Sequence, residues 1–145
     1  MNTYTEIVRQ SCHTHLKDLA GRLPEAKWAV LATADGHVVA STSKLAANTQ
    51  KESAMASALN GLSLSIAREL ALGSMESVVV EGSQGSVFCL HVPSEDKEFV
   101  LFSLVSAKAS YGQALWAVKT TARQLAAALT DLSSKHYVSK SERIL

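Results

Sequence analysis

Cys12, His13 and His15 stand close together near the amino terminus, and metal binding is the chemistry such a cluster first suggests. A zinc site needs three or four ligands converging on one point. Two positions apart on a helix means about 200° of rotation, so the rings of His13 and His15 diverge. Cys12 and His15 share a face, but a pair is not a ligand set. The expectation is a core cysteine beside a surface histidine. Phosphate chemistry fares no better. Gly82-Ser83-Gln84-Gly85 lacks the lysine and the following helix of a phosphate loop, and reads as a turn. Gly61-Leu62-Ser63-Leu64-Ser65 lacks the second glycine of a nucleophile elbow and falls inside a helix. Asp35 precedes Gly36 and reads as a turn former rather than a base. His91 is assigned to a covered or partner-facing side of its strand, and Trp28 and Trp116 to the core. No catalytic, cofactor-binding or metal-binding residue is assigned. The chain reads as a non-enzyme.

Composition narrows the partners. Lys and Arg number 14 against 13 Asp and Glu, a balance that does not advertise a nucleic-acid surface. Apolar residues make up 47% of the chain, enough for one domain with a real core. No apolar run reaches the roughly 18 to 20 residues that span a bilayer, so no membrane insertion is expected. The opening MNTYTEIVRQ has no basic start followed by a hydrophobic core, so no secretory signal is expected. Two lone cysteines fit a reduced, cytoplasmic setting.

The elements that would position any site centre on Thr49–Leu72. Met55, Leu59, Leu62, Ile66 and Leu70 recur at steps of three or four, which predicts a helix turning these residues to the core. Thr49 with Glu52 suggests its capping box, and Gly73 its C-cap. From Ser53 to Ala67 there is no charge at all, where a surface helix should show a polar side. The remaining face carries Ala54, Ser57, Ala58, Gly61 and Ser65. An interior glycine costs about 1 kcal/mol against alanine, and close approach by another backbone would recover it. These small residues therefore require a second helix.

Around that helix the chain alternates clearly. A first helix starts at a Thr3–Glu6 capping box, carries Ile7 or Val8, Cys12, Leu16, Leu19 and Leu23 at helical spacing, and ends at Gly21 and Pro24. Trp28–Thr33 is a strand buried on both faces, and Asp35-Gly36 a two-residue turn into His37–Ser41. Ser77–Glu81 and Ser86–Val92 form a second hairpin. Glu98–Ser106 is the most apolar strand and belongs at the sheet centre, Phe99, Leu101 and Val105 facing one way and Val100, Phe102 and Leu104 the other. Ser110 and Gln113 cap a last helix running through Leu115, Val118, Ala122, Leu125, Leu129 and Leu132. A polar, basic tail, 133–145, is expected to fray beyond a single domain of residues 1–132. The order is α-β-β-α-β-β-β-α. It makes an α+β domain, a mostly antiparallel five-stranded sheet with three helices on two faces.

This order of pieces resembles the roadblock (dynein light chain) domain family. The likeness is carried by LAGRLPEAKWAVLATADGHVVAS, ESAMASALNGLSLSIARELALG, SVVVEGSQGSVFCLHV, EFVLFSLVS and the helix after Tyr111-Gly112. It implies a profilin-like or longin-like sheet with the third strand at an edge. It further implies a homodimer formed by that edge and the second helices, here Ala54, Ser57, Ala58, Gly61 and Ser65 with Val78 and Val80. Family members are typically partners, scaffolds or activators of Ras-like small GTPases, or dynein light chains. The implied function is a dimeric, non-enzymatic module that binds and regulates such a GTPase. A motor-complex adaptor and a small-molecule sensor on the same sheet are the alternatives. No cofactor is expected in any of them.

Overall fold

The computed structural model describes the backbone of residues 3–95 and 97–144, and the side chains of residues 6–95 and 97–131. Its elements are α1 (Thr3–Arg22), β1 (Ala26–Thr33), β2 (Val38–Ser41), α2 (Ala46–Glu69), β3 (Ser77–Glu81), β4 (Gly85–Pro93), β5 (Glu98–Ser106) and α3 (Tyr111–Ile144). The order matches the expectation. The five strands form one sheet in the order β2-β1-β5-β4-β3, and every neighbouring pair is antiparallel. The apolar strand β5 is central, and β2 and β3 are the two edges.

Alternation along β5 divides the core as its sequence dictates. Phe99, Leu101 and Val105 join the large cluster under α1 and α3, with Leu16, Leu19, Val118 and Leu125. Val100 and Phe102 face α2, in a much smaller cluster with Ala56 and Cys89. Arg22, at the last turn of α1, ties that helix to α3. Its guanidinium donates to Thr121 Oγ1 at 2.9 Å and to Gln124 Oε1 at 2.8 Å.

Several local expectations are corrected. The β1–β2 turn is closed by the Thr33 N–H donating to the His37 carbonyl at 2.8 Å, which leaves three residues, 34–36, at its tip rather than two. Gly36 N–H donates to the Thr33 carbonyl, and Gly36 takes a φ of 95°, the left-handed residue closing a three-residue hairpin. Helix α2 starts at Ala46, because Ala46 and Ala47 extend it by a turn before Thr49. The Thr49–Glu52 capping box therefore does not form. Leu45 is the N-cap, with no side-chain cap, and Thr49 Oγ1 donates back to the Leu45 carbonyl at 3.2 Å. At the other end Ala71, with φ 53°, takes the place expected of Gly73. Leu72 N–H reaches the Ala67 carbonyl and Ala71 N–H the Arg68 carbonyl, a Schellman closure on an alanine. The α3 cap is as expected on one side, Gln113 N–H donating to Ser110 Oγ at 3.2 Å. The backbone of α3 continues as helix past Leu132 to Ile144, a stretch that no Gly or Pro interrupts. The Thr3 side of the first capping box lies outside the described side chains.

Gly85 has the least room of the glycines for a side chain. A Cβ there would lie 2.9 Å from the carbonyl oxygen of Val105, a backbone atom in the paired central strand. Gly85→Ala must push β4 from β5 and should cost about 1 to 3 kcal/mol. Urea unfolding should show a lower midpoint with an unchanged slope; an unchanged midpoint would contradict this reading of the contact.

Candidate interaction surface

No set of three His, Cys, Asp or Glu among the described residues is placed to hold a metal. Cys12 is fully buried and His13 exposed, but His15, expected at the surface, is only partly exposed, its Nδ1 buried without a hydrogen-bond partner. Burial pushes the Cys12 thiol up to about 11 and the Cys89 thiol up to about 12, so both stay protonated at neutral pH. Asp35 accepts the Thr33 hydroxyl, which holds its exposed carboxylate below the usual range, as a turn residue does. His91 lies on β4 beside Val100, on the sheet face toward α2. Trp28 stacks obliquely on Phe102 at 5.8 Å. Trp116 is not a core anchor: it is 60% exposed on the outer side of α3. The helical stripe that buries is its neighbours Ala117 and Val118.

The orientation of α2 reverses the expectation. Spacing assigns Met55, Leu62, Ile66 and Leu70 to the core, yet they are 53%, 60%, 45% and 66% exposed. The buried stripe is Thr49, Glu52, Ser53, Ala56, Asn60, Ser63 and Ala67, which also recurs at steps of three and four. Leu59 alone of the large stripe packs inward, half-buried against the small cluster. The physical reason lies beneath. The α2 side of the sheet is already filled by Trp28, Phe102, Val100 and Cys89, which leaves room for alanine and serine rather than for leucine.

The small residues Ala54, Ala58 and Gly61 are exposed or nearly so and Ser65 half-exposed, so they too look outward. Nothing in the chain comes within 4 Å of a Cβ at Gly61. Ser57 is already committed, donating to the Ala34 carbonyl and packing beside Gly36. The outer half of α2 is thus small and large apolar residues together, without a charge from Ser53 to Ala67.

That face continues toward the sheet edge. Helix α2 packs chiefly on β1, β5, β4 and β2, with β3 lying at the rim of that contact. Val78 is half-buried at the rim of the α2-side cluster, and Val80 is 54% exposed. Of the two edges, β3 is the bare one among the described residues. Along β2 runs a hollow flanked by Glu6, Arg9, Gln10 and His13 of α1, and charged side chains of this kind deter strand pairing. An open apolar helix face beside an unprotected strand is what an interface between chains requires.

The hollows beside these elements are shallow or small. One of about 140 Å³ beside Phe88 and Tyr111 falls below the roughly 300 Å³ of ordinary ligand pockets. A larger one of about 610 Å³, at Pro93 and Ala126, is an open surface depression. No helix among the described residues is long and apolar enough to cross a membrane.

The five-stranded sheet, its edge strand and the outward helix face define a profilin-like fold. The chain belongs to the Roadblock/LC7 domain family, whose pattern it matches over residues 14–101. Among solved structures it resembles the gliding protein MglB of Thermus thermophilus. There the identity is 15%, coverage is 86% of this chain and 92% of that one, and the TM-score is 0.74. Myxococcus xanthus MglB is 16% identical over 91% and 94% of the two chains, with a TM-score of 0.71. Profilin II of Acanthamoeba castellanii shares the fold at 16% identity, 81% and 98% coverage and a TM-score of 0.53. No curated protein matches the chain by sequence.

The polar side of α2 carries its own consequence. Glu52 is 6% exposed, and its Oε1 has no hydrogen-bond partner. Burial raises its pKa, an effect that a bond with Ser43 only partly opposes. A carboxyl whose folded pKa lies above its unfolded value stabilises the fold while protonated, and that contribution is lost as pH rises through the window between the two. Glu52→Gln should therefore raise the unfolding midpoint at pH 7, with a gain that shrinks toward pH 4. Urea titrations across that range check it, and a loss of stability at pH 7 would oppose it.

Proposed function

We propose that this chain is a non-enzymatic, dimeric interaction module of the cytoplasm that binds a Ras-like small GTPase and regulates it. The observation that carries the reading is the charge-free outer face of α2 ending at the bare edge of β3. Two copies pairing their β3 strands about a two-fold would make one ten-stranded sheet and set their α2 helices side by side. Val78 and Val80 then meet the partner copy together with Ala54, Ala58, Gly61 and Ser65. Met55, Leu62 and Ile66 join them, and Ser57 contributes least because Ala34 already holds it. Each large side chain covered in this way contributes up to about 1.5 to 3 kcal/mol. Membership of the Roadblock/LC7 family supports the GTPase partner, as does the likeness to MglB. Residues 1–132 form the module, and the basic segment 133–145 stands outside it.

Light scattering at micromolar concentration should give twice the 15.5 kDa chain mass. Leu62→Glu and Gly61→Glu each place a charge against the partner helix and should weaken association by about 3 kcal/mol or more. A wild-type monomer would sink the dimer.

Regulation should come from holding the GTPase in one state, since the outer face of α2 aims no arginine finger at a partner. Arg68, the one arginine of α2, is exposed in its last turn. A binder shifts its partner only by its differential affinity for the two nucleotide states. A Ras-like small GTPase from the same genome, loaded with GDP or a GTP analogue, should bind with a difference of about 1 to 3 kcal/mol between the two states. Arg68→Ala should keep any stimulation of hydrolysis. Equal affinity for both states would leave a scaffold, and loss of stimulation with binding intact would identify Arg68 as a finger.

A further inference from the structure

Helix α2 sits on its own sheet by its poorer side. Beneath it lie Thr49, Glu52, Ser53, Ala56, Asn60, Ser63 and Ala67, of which only the two alanines are apolar, with Leu59 half-buried beside them. Asn60 is 1% exposed, and its Oδ1 has no donor; Glu52 Oε1 is equally unpartnered. On the sheet face that α2 covers, His91 Nδ1 is buried without a partner as well. The other layer is built the opposite way, with Leu16 and Leu19 of α1 and Leu125 and Leu129 of α3 all driven into the core. The apolar mass of α2 points outward through Met55, Leu62 and Ile66. A helix so arranged gains little from its own sheet and much from whatever covers its outside.

We infer that a second copy of this chain is what holds α2 in place, so that dissociation of the dimer releases the helix from the sheet. This rests on the dimer proposed above and adds its regulation. The surface offered to a further partner exists only in the dimer, and a partner bound across both helices keeps the copies together by mass action. The β-sheet with α1 and α3 persists in the released state, because its large apolar cluster owes nothing to α2.

Hydrogen exchange of the full chain, read by mass spectrometry, tests this. The segment 46–69 is compared with 26–33 and 98–106, in the dimer and in the monomer produced by Leu62→Glu. In the monomer the α2 amides should exchange at least about tenfold faster, while the two strands stay within about threefold of the dimer. Adding Asn60→Leu replaces an orphaned buried amide with an apolar group, and should slow α2 exchange in that monomer at least about threefold. If Leu62→Glu does not fold, dilution of wild type until light scattering reports a monomer gives the same comparison. A proven monomer whose α2 exchanges at the dimer rate overturns the inference and leaves the dimer standing. A wild type that is monomeric at every concentration overturns both.

Discussion

The structure depends on a mismatch in one helix. A 24-residue helix normally settles by burying its apolar stripe, and the energy scales with the area removed from water. In α2 the stripe nearest the sheet is threonine, serine, alanine, asparagine and a carboxylate, while Met55, Leu62 and Ile66 stay outside. The sheet beneath forces this arrangement. Trp28, Val100 and Phe102 fill the space between sheet and helix, so only small side chains let the helix approach. Once the small stripe is inside, the geometry of a 3.6-residue period leaves the large one nowhere else to go.

The rest of the fold compensates on the opposite face. There β5 contributes Phe99, Leu101 and Val105 to a cluster closed by two helices whose own stripes are large and continuous. Arg22 joins those helices through a fork of two hydrogen bonds to Thr121 and Gln124. Gly85 lets β4 lie against β5 closely enough for the sheet to remain regular down to its β3 edge. One layer thus buries its large apolar side chains, while the other leaves Met55, Leu62 and Ile66 exposed. The proposed interface rests on that division.

Most of this is legible from residues. The strand Glu98–Ser106 and its central place follow from an unbroken apolar run, which only a strand covered on both faces can bury. Helix α1 and the two hairpins follow from period and turn residues. What fails at α2 is orientation, not existence. Two stripes share its helical period, one large and one small, and a period alone does not say which faces inward. The charge-free run from Ser53 to Ala67 is the sounder signal, because it marks an outer face that is not for water whichever stripe is inside. Caps mislead for a related reason. Thr49 and Glu52 match a capping box in spacing, but two preceding alanines carry the helix a turn further back, and both residues end in the buried stripe. Size alone misplaces Trp116; its helix buries the positions beside it.

The same physics limits what kind of function the surface can perform. A general acid or base has to present a titratable group toward a partner. Here the two thiols are buried and protonated, Glu52 faces inward, and the outer side of α2 bears no charge from Ser53 to Ala67. An apolar surface recognises shape, and it discriminates between two states of a partner only where those states differ in the apolar area they can lay against it. In the proposed function its influence is therefore an equilibrium one, bounded by the difference in buried area. A surface of that kind is also symmetric in its consequences. If the proposed assembly prefers one state of a partner, linkage requires that binding of that state stabilise the assembled helices in return.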